Sequence, residues 1–266
     1  LGALQGRVQP QTPWFGVSRE GGQYNRAGAL LVAGWFGGFS LPLCLWVKED
    51  KSRISGQGRI FQETAQQLAA TFRQIREYRQ IIRFLLARLL YNDGLVTIFQ
   101  FAAIYAGVVF GFEFQELLVF GIVINVMSGL GALGLGFLDD YLGGKRTILI
   151  SLVGLLSATL VAVLAANRIW LWVAGILIGI FAGPNQSASR SLMGRFVPPD
   201  KENEFFGFFA FSGKLTAFLG PFLLGLLTQA TGSMRVGISV VVVLFLLGGL
   251  MLIRVDEREG IESAGR

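Results

Sequence analysis

Seven long apolar runs constrain the fold of this chain more than any other feature of its sequence. A hydrocarbon core about 30 Å thick needs about 20 helical residues, because each residue advances the helix by about 1.5 Å. The run between Arg235 and Arg254 has nearly this length and carries no charged residue. Together the runs cover more than half of the chain, which predicts an all-α integral membrane protein. The predicted spans are 28–47, 81–108, 116–138, 147–166, 169–189, 205–227 and 235–253.

The composition supports this fold class and narrows the chemistry. Hydrophobic residues make up 53% of the chain and charged residues 15%, against about 25% charged in ordinary soluble domains. The sequence has no histidine, which excludes Ser-His-Asp and Cys-His catalysis and histidine-ligated metal sites. Its single cysteine, Cys44, excludes an internal disulfide bond and a cysteine cluster. We therefore expect a protein that is not an enzyme and that uses no cofactor or metal.

Loops that contain many basic residues alternate along the chain with loops that contain few. This alternation predicts the orientation of the chain in the membrane. Basic residues concentrate in 48–80, at Lys145 and Arg146, in 190–201 and in the C-terminal tail, whereas the intervening loops carry far fewer. Lysine and arginine are retained on the cytoplasmic side of a membrane. We therefore expect 48–80 and the C-terminus to be cytoplasmic and the N-terminal segment to be external. The net charge of +6 then reflects orientation, and no nucleic-acid partner is expected.

The predicted organisation places one span before a charged, glutamine-rich linker and six spans after it. Apolar residues on one face of the linker predict an amphipathic helix at the membrane surface or a solvated helix packed on loops. Those residues are Phe61, Ala65, Leu68, Phe72 and Ile75. The odd number of spans suggests part of a longer protein. The predicted segments are an external loop at 1–27, a transmembrane helix at 28–47, a cytoplasmic linker at 48–80, a six-helix bundle at 81–254 and a cytoplasmic tail at 255–266.

Glycines within the spans predict close contacts between helices. Gly175, Gly179 and Gly183 recur at every fourth position, and a second glycine-rich stretch lies at 128–136. Small residues on one face let helices approach closely, which matters in lipid because lipid offers no hydrophobic drive for association. We expect packing along the first face and either static or sliding contacts along the second.

Asp93 and Lys214 are charged residues well inside predicted spans. Asp93 lies 12 residues past Ile81 and Lys214 nine past Phe205, which places both roughly 14–18 Å from the cytoplasmic side. An ionised aspartate at a span centre costs about 2.5–3.5 kcal/mol, so it needs a partner or a cavity. We predict an Asp93–Lys214 ion pair in the bundle interior, with either a static role or a role in binding substrate or protons.

Uncharged amides are the remaining candidates for contacts with a solute. Pro184 precedes two of them, and a proline inside a helix can break or kink it, which in transporters exposes backbone along the pathway. We expect either a broken helix or an ordinary kinked helix end there. A lone amide within a span more often bonds to a neighbouring helix than to a solute. The candidates are Asn92, Gln100, Asn185 and Gln186.

A charged hairpin joins two predicted spans on the cytoplasmic side. It is not a phosphate-binding loop, because Arg146 follows Lys145 where serine or threonine is needed, and no strand precedes it. It is instead a tight turn with acids at the end of one helix and bases at the start of the next. Such a cluster can hold two helices in one register and release them in another. Its predicted members are Gly136, Asp139, Asp140, Gly143, Lys145 and Arg146.

The hairpin resembles the loop motif of the major facilitator superfamily, G-x-x-x-D-(R/K)-x-G-(R/K)-(R/K). The matching residues are Gly136, Asp140, Gly143 and Lys145, with Arg146 following. Tyr141 and Gly144 depart from the motif, since the family prefers bases there. In that family the motif joins the second and third helices of each six-helix half, and a long cytoplasmic loop links the halves. The predicted organisation of this chain agrees with both features.

Further motifs narrow the resemblance to the Atg22-like (UMF1-type) vacuole effluxer branch of the superfamily. They are Tyr91-Asn92-Asp93-Gly94, the run 186–191, Pro198-Pro199, the run 204–208 and Ser212-Gly213-Lys214. The resemblance covers about 28–254. It implies a major facilitator-type C-terminal six-helix bundle preceded by one further transmembrane helix, the sixth of twelve, with the N-terminal bundle missing from this chain.

The resemblance also implies a function. It implies a secondary active transporter that moves a small solute by alternating access, with amino-acid export suggested by the yeast vacuolar member and proton coupling as an option. The membrane would be the plasma membrane in a bacterium and the vacuolar membrane in a fungus. The alternatives are a receptor or scaffold of the same fold without transport, and a membrane-embedded enzyme.

Overall fold

A computed structural model describes residues 23–46 and 78–265 of the chain, which divides into two compact units. The predicted external loop, up to residue 22, and the linker helix predicted between 61 and 75 lie outside the described residues. In the described part of the first unit, helix α1 (Gln23–Trp46) contains Pro42. The ring of Trp35 lies 4.7 Å from that of Phe39. This helix covers the first predicted span and begins before residue 28.

The second unit is helical, and its described residues include no strand. Within the described parts of the chain, seven helical segments are long and apolar enough to cross a membrane, and each overlaps one predicted span. The predicted all-α membrane fold is therefore confirmed. The helices of this unit are α2 (Arg79–Phe110), α3 (Phe114–Leu142), α4 (Gly144–Leu164), α5 (Arg168–Phe196), α6 (Glu202–Leu215), α7 (Leu219–Thr231), α8 (Met234–Ile253) and α9 (Glu257–Ser263).

The predicted span at 205–227, the sixth in this chain, is interrupted, whereas the helix that contains Pro184 is not broken. Helices α6 and α7 together form that span and are separated by a turn at 216–218. Helix α5, by contrast, runs unbroken through Pro184. Pro184 has no N–H for the carbonyl of Ile180, and this carbonyl packs against Gly131 of α3, where a Cβ atom would overlap it. The proline is thus accommodated by a close helix contact, without a break.

Helix α5 packs against both α3 and α4, and glycines set its distance from α3. A Cβ atom at Gly179 would meet the backbone of Ile124, and one at Gly183 would overlap the backbone of Ser128. The predicted close packing along this glycine face is therefore confirmed. In the stretch 128–136 only Gly131 makes such an approach, since the other three glycines have nothing within 4 Å of a built Cβ.

Two neighbouring glycines on α8 provide a test of close packing between α8 and α2. An alanine Cβ at Gly248 would lie 2.9 Å from the backbone N of Tyr91 and 3.1 Å from the carbonyl O of Ala87, whereas one at Gly249 would lie 3.9 Å from Leu152. Gly248→Ala is expected to lower the free energy of unfolding by about 1–3 kcal/mol, because two backbones must separate.

The matched control is Gly249→Ala, which is expected to be neutral or to stabilise the helix by up to about 1 kcal/mol through its better helix propensity. Thermal unfolding of both purified variants measures the difference. Equal midpoints for the two variants would contradict the close contact between α8 and α2.

Candidate functional site: a polar pocket and a charge cluster

A polar pocket of about 120 Å³ lies between α2, α5 and α6. The side chains that line it come from one face of each helix, because residues four apart on a helix project from the same side. Three of the amides predicted from the sequence, Asn92, Asn185 and Gln186, meet in this pocket. The lining residues are Arg88, Tyr91 and Asn92 of α2, Asn185, Gln186, Ser189 and Arg190 of α5, and Phe209 of α6.

A chain of buried hydrogen bonds organises the α5 side of the pocket. The Asn185 side chain is fully buried, and its Nδ2 donates to Ser151 Oγ of α4 at 2.9 Å. Ser189 Oγ donates to the backbone carbonyl of Asn185 at 2.6 Å and lies 2.8 Å from the hydroxyl of Tyr91. The Asn185 Oδ1 atom is buried and has no hydrogen-bond partner among the described residues. A buried acceptor without a donor is costly, so the position of this amide lowers the stability of the fold.

Arg88 is the main residue of the pocket that the sequence analysis missed. Its guanidinium lies 3.5 Å above the ring of Phe209, and its Nη1 donates to the Phe209 carbonyl at 2.7 Å and to Ser212 Oγ at 3.0 Å. The arginine lies four residues before Asn92, on the same helical face. That spacing is a signal in the sequence, but the sequence analysis considered only Lys214 as a base inside a span.

Asp93 and Lys214 do not form the predicted ion pair. Asp93 is 1% exposed, and its Oδ2 accepts a hydrogen bond from the backbone N–H of Gly220 at 2.8 Å. The Lys214 side chain is exposed and makes no ion pair within the described parts of the chain. The physical reason is the interruption of the span that α6 and α7 form. It brings the N-terminus of α7, the positive end of that helix's dipole, to the Asp93 carboxylate in place of a lysine.

Gln100 also lies outside the pocket. It is exposed on α2, and its side chain makes no hydrogen bond to another described residue. The pocket therefore unites Asn92, Asn185 and Gln186 of the predicted set and leaves out Asp93, Gln100 and Lys214.

The charged hairpin between α3 and α4 forms a tight turn, as predicted, but its ion pair involves a different acid from the one that matches the motif. Gly143 closes α3 with a positive φ of 86°, which favours glycine. Asp139 is buried and accepts from Arg195 of α5 at 3.2 Å. Asp140, which occupies the motif position, is exposed and forms no ion pair with a described residue, and Arg146 is likewise exposed. Lys145 donates through Nζ to the carbonyl of Ile253 at 2.9 Å.

The C-terminal tail completes this cluster, which the sequence analysis did not foresee. The Glu257 carboxylate of α9 accepts from the backbone N–H groups of Gly144 at 2.9 Å and Lys145 at 3.2 Å, and so caps the N-terminus of α4. It also lies 3.7 Å from Arg195. Gln80 at the start of α2 accepts from the backbone N of Asp256 at 2.9 Å. The tail therefore ties together the ends of α2, α4 and α5 that lie on its side of the bundle.

This fold is all-α and multi-pass, of the major facilitator type, and its helices enclose a polar pocket. The chain belongs to the vacuole effluxer Atg22-like family, whose family model matches residues 18–265. The resemblance stated from the motifs is therefore confirmed.

Curated relatives agree with this assignment. The chain is 29% identical over 227 residues to the uncharacterized MFS-type transporter YxiO of Bacillus subtilis, covering 85% of the chain and 53% of that protein. It is 24% identical over 261 residues to autophagy-related protein 22 of Coccidioides immitis, covering 88% of the chain and 43% of the relative. The chain thus spans about half the length of the curated relatives it matches.

Proposed function

We propose that this chain forms the C-terminal part of a secondary active transporter that exports a small solute and catalyses no chemical reaction. The solute that the resemblance of the motifs suggests is an amino acid. The observation that carries the proposal is the polar pocket, which places an arginine and an unpartnered buried acceptor between three helices. Polar groups inside a membrane are costly and commonly mark a solute pathway. Membership of an effluxer family supports the direction of transport.

The burial of the spans supports a second bundle as the partner of this one. In the apolar 18-residue stretches of α3 and of α6–α7, only 17% of residues are buried. The same share is 39–50% in the other four spans of the second unit. Two sparsely buried spans leave a broad face for a partner, and the curated relatives are about twice as long as this chain. We propose that an N-terminal six-helix bundle covers this face. The two bundles would rock about the pocket, as in alternating access.

The charge pattern supports the orientation of the proposed transporter. The hairpin at Asp139 and the tail at Glu257 lie at the same end of the bundle as the basic residues Lys145 and Arg195. Because bases are retained on the cytoplasmic side, we propose that this end and the C-terminus face the cytoplasm. The membrane would be the plasma membrane in a bacterium or the vacuolar membrane in a fungus. Asp93, the buried carboxylate beside the pocket, is the proposed site of proton coupling.

Solute flux in liposomes tests the proposed function. The full-length protein, reconstituted and supplied with a mixture of labelled amino acids, is expected to catalyse exchange well above empty liposomes. The same preparation carrying only residues 81–266 is expected to catalyse none, because half of the pathway is absent. Flux that is no greater in the full-length protein than in empty liposomes would favour the receptor or scaffold alternative.

A further inference from the structure

We propose that a groove between α4 and α8 binds one anionic phospholipid of the surrounding membrane. An acyl chain would lie along the apolar groove, and the phosphate head group would contact three bases at one end of it, Lys145, Arg146 and Arg254. The inference needs only the membrane fold and does not depend on which solute is transported. It is carried by two observations, an open apolar groove and a set of unpaired cations at the end of the same two helices.

The groove has a buried apolar floor and exposed apolar walls, and its volume is about 140 Å³. Leu152 of α4 and Phe245 of α8 are buried at its floor, whereas Val153 and Ile253 are more than half exposed. Gly249 keeps the space between them open, because a Cβ atom built there would lie 3.9 Å from Leu152. Exposed aliphatic walls around an open space are suited to a flexible hydrocarbon chain.

The length and position of the groove match one leaflet of a bilayer. Along α8 it extends from Phe245 to Ile253, which is about 12 Å at 1.5 Å per residue. Half of a hydrocarbon core about 30 Å thick is about 15 Å. The groove therefore spans most of the leaflet at the end of the bundle where α4 begins and α8 ends. Neither helix is one of the two sparsely buried spans that we assign to the partner bundle, so the groove faces lipid.

Lys145 places a cation at the end of the groove. Its Nζ donates to the carbonyl of Ile253, a residue of the groove lining, at 2.9 Å. An ammonium group has three N–H donors, so two remain for the oxygens of a phosphate. The side chain forms no ion pair with a carboxylate of the described residues.

Arg146 and Arg254 extend the two rows of side chains that line the groove. Arg146 lies three residues before Leu149 of the lining, and Arg254 lies four residues after Leu250. Residues three or four apart share one side of a helix. Both arginines are exposed, and neither side chain forms an ion pair within the described ranges. A guanidinium group matches the oxygens of a phosphate.

The acids near these bases are engaged elsewhere or are unpaired. The Asp256 carboxylate accepts from two backbone N–H groups at the start of α9. The Glu257 carboxylate caps α4 and lies 3.7 Å from Arg195. Asp140, at the end of α3, forms no ion pair with a described base. Bases at the mouth of a groove between transmembrane helices bind anionic head groups. Phosphatidylcholine is a poorer match, because its head group also carries a cation.

Lipids with identical chains test the proposal with the full-length protein, delipidated in detergent. The probes are dioleoyl phosphatidylglycerol, dioleoyl phosphatidylcholine and glycerol 3-phosphate, which carries a phosphate without chains. The unfolding temperature is measured against the concentration of each probe to obtain an apparent Kd. Phosphatidylglycerol is expected to bind about thirtyfold more tightly than phosphatidylcholine, and glycerol 3-phosphate is expected to give no stabilisation at the same concentrations.

Variants separate the head group from the chain. The double variant Arg146→Gln/Arg254→Gln is expected to bind phosphatidylglycerol about twentyfold more weakly, because each base near the membrane surface contributes about fivefold. Its affinity for the two lipids should then agree within about threefold. Gly249→Leu fills the groove and is expected to weaken both lipids about tenfold, whereas Gly249→Ala should change neither. The charge control is Lys214→Gln, an exposed base outside the groove lining, which should bind as the wild type does.

Four outcomes would overturn the lipid site. They are equal affinity of the wild type for the two lipids, an unchanged preference in the double variant, unchanged binding in Gly249→Leu, and stabilisation by glycerol 3-phosphate as strong as by phosphatidylglycerol. The last would indicate a site for free phosphate.

Unfolding temperatures without lipid show whether each variant is folded. If Gly249→Leu is not, dihexanoyl phosphatidylglycerol tests the chain contact in the wild type, and an affinity equal to that of the dioleoyl lipid would contradict the proposal. Solute flux is not part of these measurements, so their failure would leave the transporter proposal intact.

Discussion

Replacing Asp93 with leucine is expected to lower the free energy of unfolding by about 1–3 kcal/mol and to abolish solute flux in the full-length protein. The Asp93 carboxylate accepts the backbone N–H of Gly220 at 2.8 Å, at the start of α7. Leucine leaves that buried donor without an acceptor and removes a negative charge from the positive end of the helix dipole. The interrupted sixth span then loses the contact that fixes α7 against α2. Thermal unfolding and flux in liposomes measure the two effects.

Asp93→Asn is the matched control, because asparagine keeps an oxygen to accept from Gly220 but cannot release a proton. It is expected to unfold within about 1 kcal/mol of the wild type. If Asp93 couples transport to protons, this variant keeps exchange of solute across the membrane and loses accumulation driven by a pH gradient. A leucine variant as stable as the wild type contradicts the structural role, and pH-driven accumulation by Asp93→Asn contradicts the coupling role.

Replacing Glu257 with alanine is expected to lower the free energy of unfolding by about 2 kcal/mol and to release the C-terminal tail from the bundle. Its carboxylate caps the first turn of α4 through Gly144 and Lys145. A lost cap costs about 1 kcal/mol, and the remainder comes from charge-assisted bonds to the same N–H groups. The 3.7 Å pair with Arg195 is partly exposed and contributes little by itself.

Hydrogen–deuterium exchange of the tail measures this second prediction. Residues 254–263 should lose protection in Glu257→Ala and keep it in Glu262→Gln, a control on the exposed side of the same short helix. Because the cluster joins the ends of three helices, its loss is also expected to favour opening of the bundle at that end. Equal protection in the two variants would show that the tail is held by other contacts, such as the packing of Gly260 on Phe196.

The spans could be predicted from the sequence, whereas the interruption of one of them could not. Hydropathy is sufficient to predict the spans, because an apolar segment in lipid has no water to bond its backbone. It must therefore satisfy its N–H and C=O groups within a helix. The segment 202–231 is long and apolar enough to cross a membrane as one helix, and its interruption depends on partners far away in the sequence. Thr216 donates to the carbonyl of Leu89, and Gly220 donates to Asp93, each across 127 residues. Pro221 in the first turn of α7 is a local signal for a helix start, but it does not identify the distant partners of the interruption.

The candidate site shows the same limit. Asn92, Asn185 and Gln186 were identified because amides in a span are costly, and the structure brings them together. The predicted ion pair between Asp93 and Lys214 was wrong because similar depth in the membrane does not make two side chains point toward each other. The direction of the side chain rotates by about 100° around the helix axis with each residue. Asn92, one residue earlier, is the side chain that reaches α6, where it donates to the carbonyl of Gly213 at 3.2 Å.

The central claim is that the polar pocket lies on the solute pathway of a transporter, and thiol accessibility tests it most directly. Gln186, an exposed residue of the pocket lining, is replaced by cysteine in a full-length protein whose other cysteines, including Cys44, are changed to serine. We predict that a membrane-impermeant thiol reagent labels position 186 from either side of the membrane, and that the transported solute slows the labelling. A thiol that reacts from one side only, at a rate unaffected by the solute, would contradict the claim.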